Sequence, residues 1–313
     1  MSLAQRFDSA GGNRLAGAVS AVSELILGKE QQVRLAVTCL LAQGHLLIED
    51  IPGVGKTTLA HALARVFGLD FARVQFTADL LPTDILGVSI FEPHEARFEF
   101  HPGPIFTQLL LADEVNRASP KTQSALLEAM EERQVTIDGV TRALPEHFFA
   151  VATQNPADQL GTFPLPESQL DRFLMRIGLG YPPASAEKML LSQRSRRAML
   201  EDVLPSLESD GLAHWQAQAD AITVSDALLD YILALLAGSR ETVLFRQGLS
   251  PRAGLALRRA AQAWALLAGR DHVLPEDVQA VLPAVVDHRL ATVDREHASA
   301  PPSSTLLKQV PLP

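Results

Sequence analysis

His45-Leu46-Leu47-Ile48-Glu49-Asp50-Ile51-Pro52-Gly53-Val54-Gly55-Lys56-Thr57-Thr58-Leu59-Ala60 is the stretch on which the reading of this chain turns. A short apolar run ends at two acids. A Pro/Gly turn follows and leads through Lys-Thr-Thr into a helical pattern. Strand, glycine-rich loop and helix in that order are the setting a phosphate-binding loop requires. Small residues let successive backbone N–H groups converge on an anion, and the new helix points its positive dipole end at it. Pro52, Gly53, Val54 and Gly55, with Lys56, Thr57 and Thr58 opening the helix, form the candidate nucleotide-binding set. Lys56 is expected to reach the β- and γ-phosphates of a nucleoside triphosphate, and the Thr57 hydroxyl to sit on Mg²⁺. The general pattern is Gly-x-x-x-x-Gly-Lys-[Ser/Thr]; Asp50 stands where its first glycine would be.

Working outward, Leu109-Leu110-Leu111-Ala112 is an apolar strand that stops at Asp113-Glu114. A carboxylate at the C-terminal edge of such a strand can meet the metal's water shell, the role expected for Asp113. Glu114 is then placed to polarise the attacking water as general base. Phe148–Thr153 forms another buried strand, running into Gln154-Asn155-Pro156. An amide at Asn155 can hold that water or contact the γ-phosphate. Between these strands, Ser119-Pro120 opens a helix with Ser as N-cap and Pro at the first helical position. Alternation around Asp138-Gly139 marks a hairpin over 135–144, and a second short hairpin is expected over 88–100. Phe71–Thr77 and Leu174–Leu179 complete five strands.

Beyond Tyr181-Pro182-Pro183 the pattern becomes wholly helical, with segments at 185–200, 225–236, 251–269 and from Leu274-Pro275-Glu276-Asp277 onward. The expected organisation is a nucleotide-binding α/β domain over 1–180, a five-stranded parallel sheet between helices, followed by an all-α lid domain over 181–300. Residues 301–313 are expected to be a tail that is extended or mobile.

The bulk properties narrow the function. The chain has 313 residues, 47% hydrophobic and 20% charged, enough for two domains with real cores. Net charge is −9, and residues 1–180 carry 14 Lys and Arg against 21 Asp and Glu. That is no footprint for a nucleic-acid backbone, so nucleic acid is disfavoured as a partner. Cys39, the single cysteine, lies in an apolar helical pattern and reads as a core thiol; without a possible intrachain disulfide, a cytoplasmic location is expected. The longest apolar stretch, Val33–Ile48, is interrupted by Gln43, Gly44 and His45, so no membrane span is expected.

Five ordered blocks go further. Asp50–Thr57, Ala112-Asp113-Glu114-Val115-Asn116-Arg117-Ala118, Leu126-Leu127-Glu128-Ala129-Met130-Glu131-Glu132, Ala152-Thr153-Gln154-Asn155-Pro156 and Leu165-Pro166-Glu167-Ser168-Gln169-Leu170-Asp171-Arg172-Phe173 resemble the MoxR family of AAA+ ATPases. The resemblance covers roughly residues 25–295 and includes Asp50 at the first-glycine position. It implies an AAA+ P-loop fold whose hairpins near 88–100 and 135–144 are the inserts of the helix-2-insert branch. It implies ATP hydrolysis with Mg²⁺. Asp113 and Glu114 match the Walker B pair and Asn155 matches sensor 1. Arg172 matches an arginine finger supplied to a neighbouring subunit. Arg252, in Ser250-Pro251-Arg252-Ala253, matches sensor 2, reaching from the lid to the γ-phosphate. Gly28-Lys29 falls where the adenine pocket begins. The family further implies self-assembly into a ring, most often a hexamer, and a chaperone-like action on client proteins such as those with a von Willebrand factor A domain. A magnesium-chelatase-like ATPase subunit and a nucleic-acid-associated AAA+ motor are the alternatives. Of these, the motor is opposed by the single cation, Arg142, in the 135–144 hairpin.

Overall fold

The computed structural model describes residues 9–156, 161–192, 209–241, 245–293 and 300–312. Its elements run α1 (Ser9–Leu25), α2 (Glu30–Leu41), β1 (Leu46–Glu49), α3 (Lys56–Val66), β2 (Phe71–Gln75), α4 (Pro82–Leu86), β3 (Gly87–Glu92), β4 (Arg97–Pro102), β5 (Leu109–Asp113), α5 (Pro120–Glu132), β6 (Gln134–Ile137), β7 (Val140–Ala143), β8 (Phe149–Gln154), α6 (Glu167–Leu170), β9 (Met175–Ile177) and α7 (Ala184–Ser192). The helices α8 (Ser209–Asp220), α9 (Asp226–Glu241), α10 (Pro251–Leu267), α11 (Pro275–Val286) and α12 (Pro302–Gln309) follow.

Five strands form one parallel sheet in the order β2-β5-β8-β1-β9. Every residue of β5 and β8 is buried, which is why these strands read as continuous apolar runs. The pleat sends alternate side chains to two cores. Leu46, Ile48, Leu109, Leu111, Phe149 and Val151 join one cluster, while Leu47, Leu110, Ala112, Ala150 and Ala152 join the other. The first cluster runs without a break through α1–α3 into α8–α12, so the lid shares a core with one face of the sheet. The second is closed by α4, α5 and β6. Two antiparallel hairpins, β3–β4 and β6–β7, stand apart from the sheet.

The hairpins span Gly87–Pro102 and Gln134–Ala143. The five-stranded parallel sheet and the all-helical lid agree with the sequence expectations. The tail does not. Residues 302–309 form a helix that packs on α11 and α9, with Leu306 fully buried. Ser303 donates to both carboxylate oxygens of Asp287, from its N at 2.8 Å and its Oγ at 3.1 Å. Pro301 and Pro302, which suggested an extended segment, instead supply the fixed φ of a helix start. At the other end α1 is a helix over Ser9–Leu25. The segment expected to be helical over 185–200 is described only to Ser192; the remainder lies outside the described residues.

Candidate active site

Parallel pairing aligns the C-terminal ends of neighbouring strands, and this alignment gathers the site. Glu49 is in register with Gln154, and Gln75 with Asp113. Asp50 N donates to Gln154 O at 3.1 Å, so the phosphate loop begins beside the end of β8, where Asn155 is buried. Lys56, Asp113, Glu114 and Asn155 therefore share one edge of the sheet.

The loop itself needs conformations only glycine adopts without strain: φ is +84° at Gly53 and +100° at Gly55. A Cβ at either position would meet nothing within 4 Å, so an open cradle faces the N-terminus of α3, which carries no side-chain cap. Uncapped N–H groups and the helix dipole fit an anionic phosphate chain. Lys56 lies back on the loop, donating to the carbonyls of Asp50 and of Ile51, the latter at 3.0 Å. Burial draws its amine below the ordinary lysine range, against the upward pull of Asp50, Asp113 and Glu114. Thr57 and Thr58 follow in the first turn of α3.

Asp50 explains why the first-glycine position is not glycine here. Its Oδ1 accepts from Ile51 N at 2.8 Å and its Oδ2 from Gly180 N at 2.5 Å. The carboxylate ties the start of the loop to the hinge that leads into the lid. Gly28 and Lys29 meet the same hinge: Gly28 lies against Pro183 and Ala186, and the buried Lys29 donates to Tyr181 O.

Asp113 is nearly buried and fully engaged. Thr153 Oγ1 donates to Oδ1 at 2.6 Å, and Arg73 donates to Oδ2 through Nη2 at 2.7 Å and Nε at 3.2 Å. Glu114 is held in the left-handed region, φ +57°, with its N donating to Thr153 Oγ1 at 2.9 Å. Its Oε2 receives Gln75 Nε2 at 2.9 Å and Arg117 Nε at 3.0 Å. Arg73, Gln75 and Thr153 were not singled out from the sequence. The signal was present in Phe71-Ala72-Arg73-Val74-Gln75, whose alternation puts two polar residues on one face of a strand next to the Asp113 strand.

Arg172 and Arg252 lie elsewhere. Both bind Glu131 at the end of α5: Arg172 Nε on Oε2 at 2.9 Å, Arg252 Nη1 on Oε1 at 2.8 Å. They line a cleft of about 240 Å³ with Gln43, Gly44 and His45, at the N-terminal end of β1. The phosphate loop leaves the opposite end of that strand, about 13 Å away at about 3.3 Å per residue. This corrects the expected path of Arg252: within one chain it does not reach the phosphate loop. The Ser250 cap, accepting from Ala253 N at 3.2 Å, starts α10 against α5 instead.

Comparison with known proteins gives the family. The profile of the ATPase family associated with various cellular activities (AAA) matches residues 45–175, and that of the AAA lid domain matches residues 237–309. The chaperone MoxR1 of Mycobacterium tuberculosis is 41% identical, over 87% of this chain and 74% of its own length. The protein MoxR of Paracoccus denitrificans is 34% identical over 88% of each chain. This chain is a MoxR-family AAA+ ATPase. The crystal structure of a candidate ATPase from Cytophaga hutchinsonii matches this MoxR-family chain with a TM-score of 0.88, 34% identity and 99% coverage of this chain against 98% of that one. As an AAA+ ATPase it binds nucleotide and hydrolyses ATP. Among the described residues, no helix is long and apolar enough to cross a membrane.

Proposed function

We propose that this ATPase works as a ring, in which each nucleotide is held by one subunit and completed by its neighbour, and that turnover drives remodelling of client proteins. In this reading the triphosphate lies in the Gly53–Gly55 cradle and Lys56 leaves the loop carbonyls to take the β- and γ-phosphates. Thr57 and Asp113 would hold Mg²⁺, which supplies charge neutralisation for the phosphate oxygens. A hydroxyl and a carboxylate are hard oxygen donors of the kind that ion takes. Glu114 accepts the proton of the attacking water once Gln75 and Arg117 release its carboxylate, and Asn155 orients that water.

The observation that carries the ring reading is the separation of Arg172 from its own phosphate loop by the length of β1. Placed there, Arg172 and Arg252 are on a face where an adjoining subunit could present its nucleotide. An arginine supplied from outside the binding subunit makes hydrolysis wait for correct assembly.

The client reading draws on the β3–β4 hairpin. Phe98 is 72% exposed and Phe91 50%, their rings 5.3 Å apart on one face of the hairpin, while Val88 and Ile90 are exposed on the other. Such a patch suits protein surface rather than a phosphate backbone. Arg142, the cation of the other hairpin, is stacked on Phe100 at 3.9 Å and donates to Val140 O at 3.2 Å. Clients with a von Willebrand factor A domain are the first class to screen.

ATP turnover per subunit, measured against protein concentration with mass determined alongside, tests the ring. Specific activity rising steeply as a larger species forms is the expected result. Concentration-independent turnover by a monomer overturns it.

A further inference from the structure

The two arginines are held by one carboxylate. Glu131 gives one oxygen to Arg172 of the core and the other to Arg252 of the lid. We infer that Glu131 is a positioning residue that presents Arg172 and Arg252 as a fixed pair to the neighbouring subunit's nucleotide. The inference rests on the reading that Arg172 acts across the subunit boundary.

Three features of the surroundings support it. First, Glu131 is itself immobilised. Its neighbour Met130 is buried, and Met130 O is 3.1 Å from Nε2 of the buried His45, whose Nδ1 accepts from Ala150 N at 3.1 Å. The end of α5 is thereby pinned to the starts of β1 and β8.

Second, Glu131 is not needed to fasten the lid. That is done next door by Arg289 of the segment after α11, whose side chain is only 5% exposed. It donates to Asp171 Oδ1 at 2.7 Å, to Phe173 O at 2.5 Å and to Leu174 O at 3.2 Å. The Glu131 pairs are far more open, with Arg252 47% and Arg172 28% exposed, and ion pairs of that kind add little to stability.

Third, the cleft is strongly cationic. Arg133, Arg259 and Arg289 also line it, against Glu131 and Asp171 as the acids among the described residues. An anion between two guanidinium groups offsets their mutual repulsion. Glu131 does this for the isolated subunit. The incoming triphosphate, a larger anion with oxygens spaced for bidentate arginine contacts, does it in the assembled site.

Glu131→Gln is the discriminating variant, because an amide keeps the volume but offers only one acceptor oxygen. The expected result is nucleotide affinity and KM for ATP within about twofold of the parent, with kcat reduced roughly tenfold or more, since an arginine supplied in trans is worth about 10³ to 10⁵ in kcat. Glu131→Asp, retaining two oxygens, should recover part of the loss. The decisive measurement mixes Glu131→Gln with Lys56→Ala subunits, which offer intact arginines but hold no nucleotide. Turnover should return, as it should in a parallel mixture of Arg172→Ala with Lys56→Ala. Rescue of Arg172→Ala without rescue of Glu131→Gln leaves the trans reading standing and overturns the role of Glu131. Rescue of neither overturns both. Glu131→Gln turnover equal to the parent's overturns the positioning role directly.

Discussion

Arg73 grips Asp113: Nη2 and Nε of the guanidinium lie 2.7 and 3.2 Å from the same carboxylate oxygen, Oδ2. The carboxylate expected to face the metal's water shell is thus already paired with a cation on β2. Removing that cation leaves Asp113 more available. Arg73→Met should lower the Mg²⁺ concentration needed for half-maximal turnover. The pair is half-open on the arginine side, so the effect should be up to about fivefold, the worth of about 1 kcal/mol. A Mg²⁺ titration at saturating ATP checks this. A higher requirement in the variant would mean that Arg73 orients Asp113 rather than competing for it.

Lys56→Ala and Glu114→Gln should fail differently. Loss of the amine removes the cation directed at the β- and γ-phosphates, so Lys56→Ala should lose nucleotide binding altogether. Glu114→Gln keeps the loop and should bind ATP with near-parental affinity while turnover falls by about 10² to 10⁴, the usual contribution of a general base. Fluorescent-nucleotide binding and phosphate release, measured on both variants, separate the two roles. Retained tight binding by Lys56→Ala would remove the phosphate-loop assignment.

Asp50 joins the phosphate loop to the lid hinge through Gly180 N at 2.5 Å. Asp50→Ala should free both Ile51 N and Gly180 N. Hydrogen bonds to a charged acceptor are worth about 1.5–3 kcal/mol each, less here where the site is open to solvent. ATP affinity should drop roughly tenfold, and amide exchange over 178–183 should quicken. Unchanged exchange at the hinge would show that the tie does not transmit between loop and lid.

His45 carries a pH dependence whose sign follows from its burial. Desolvation, aided by Arg133 and Arg252, brings the imidazole down to about 4, against the opposing bond to Met130 O. An unfolded chain titrates near 6.5, so below that pH it binds the proton before the folded protein does. Stability is therefore full above about pH 6.5 and is lost as pH falls toward 4, by about 2 kcal/mol between pH 7.5 and 5. The buried His288, also lowered chiefly by desolvation, acts in the same direction. Urea unfolding at the two pH values should show the loss, and His45→Gln should reduce it. An equal pH response in the variant would assign the dependence to other groups.

Much of the candidate site was legible because it is written in local pattern. Asp113 ends a buried strand, Glu114 and Asn155 follow directly on one, and parallel strands buried on both faces are continuous apolar runs. Once the strands are placed, the residues after them fall at one edge by geometry alone. Arg73, Gln75 and Thr153 were harder to see. They act across strand boundaries, and their partners depend on which strand neighbours which. A chain order of β1, β2, β5, β8, β9 becomes a spatial order of β2-β5-β8-β1-β9, and no local pattern states that permutation.

The sequence by itself determined the phosphate loop, the strand-end carboxylates and the change from sheet to helices, because each depends on residues adjacent in the chain. Tertiary structure alone decided the placement of Arg172 and Arg252. Their meeting on Glu131 needs α5, the segment after α6 and the first turn of α10 to converge at the far end of β1. It also decided the fate of the tail, which is helical because Asp287 caps it and the lid buries Leu306. Long-range packing, not propensity, sets both, since the groups involved have no partner until distant segments have folded against them.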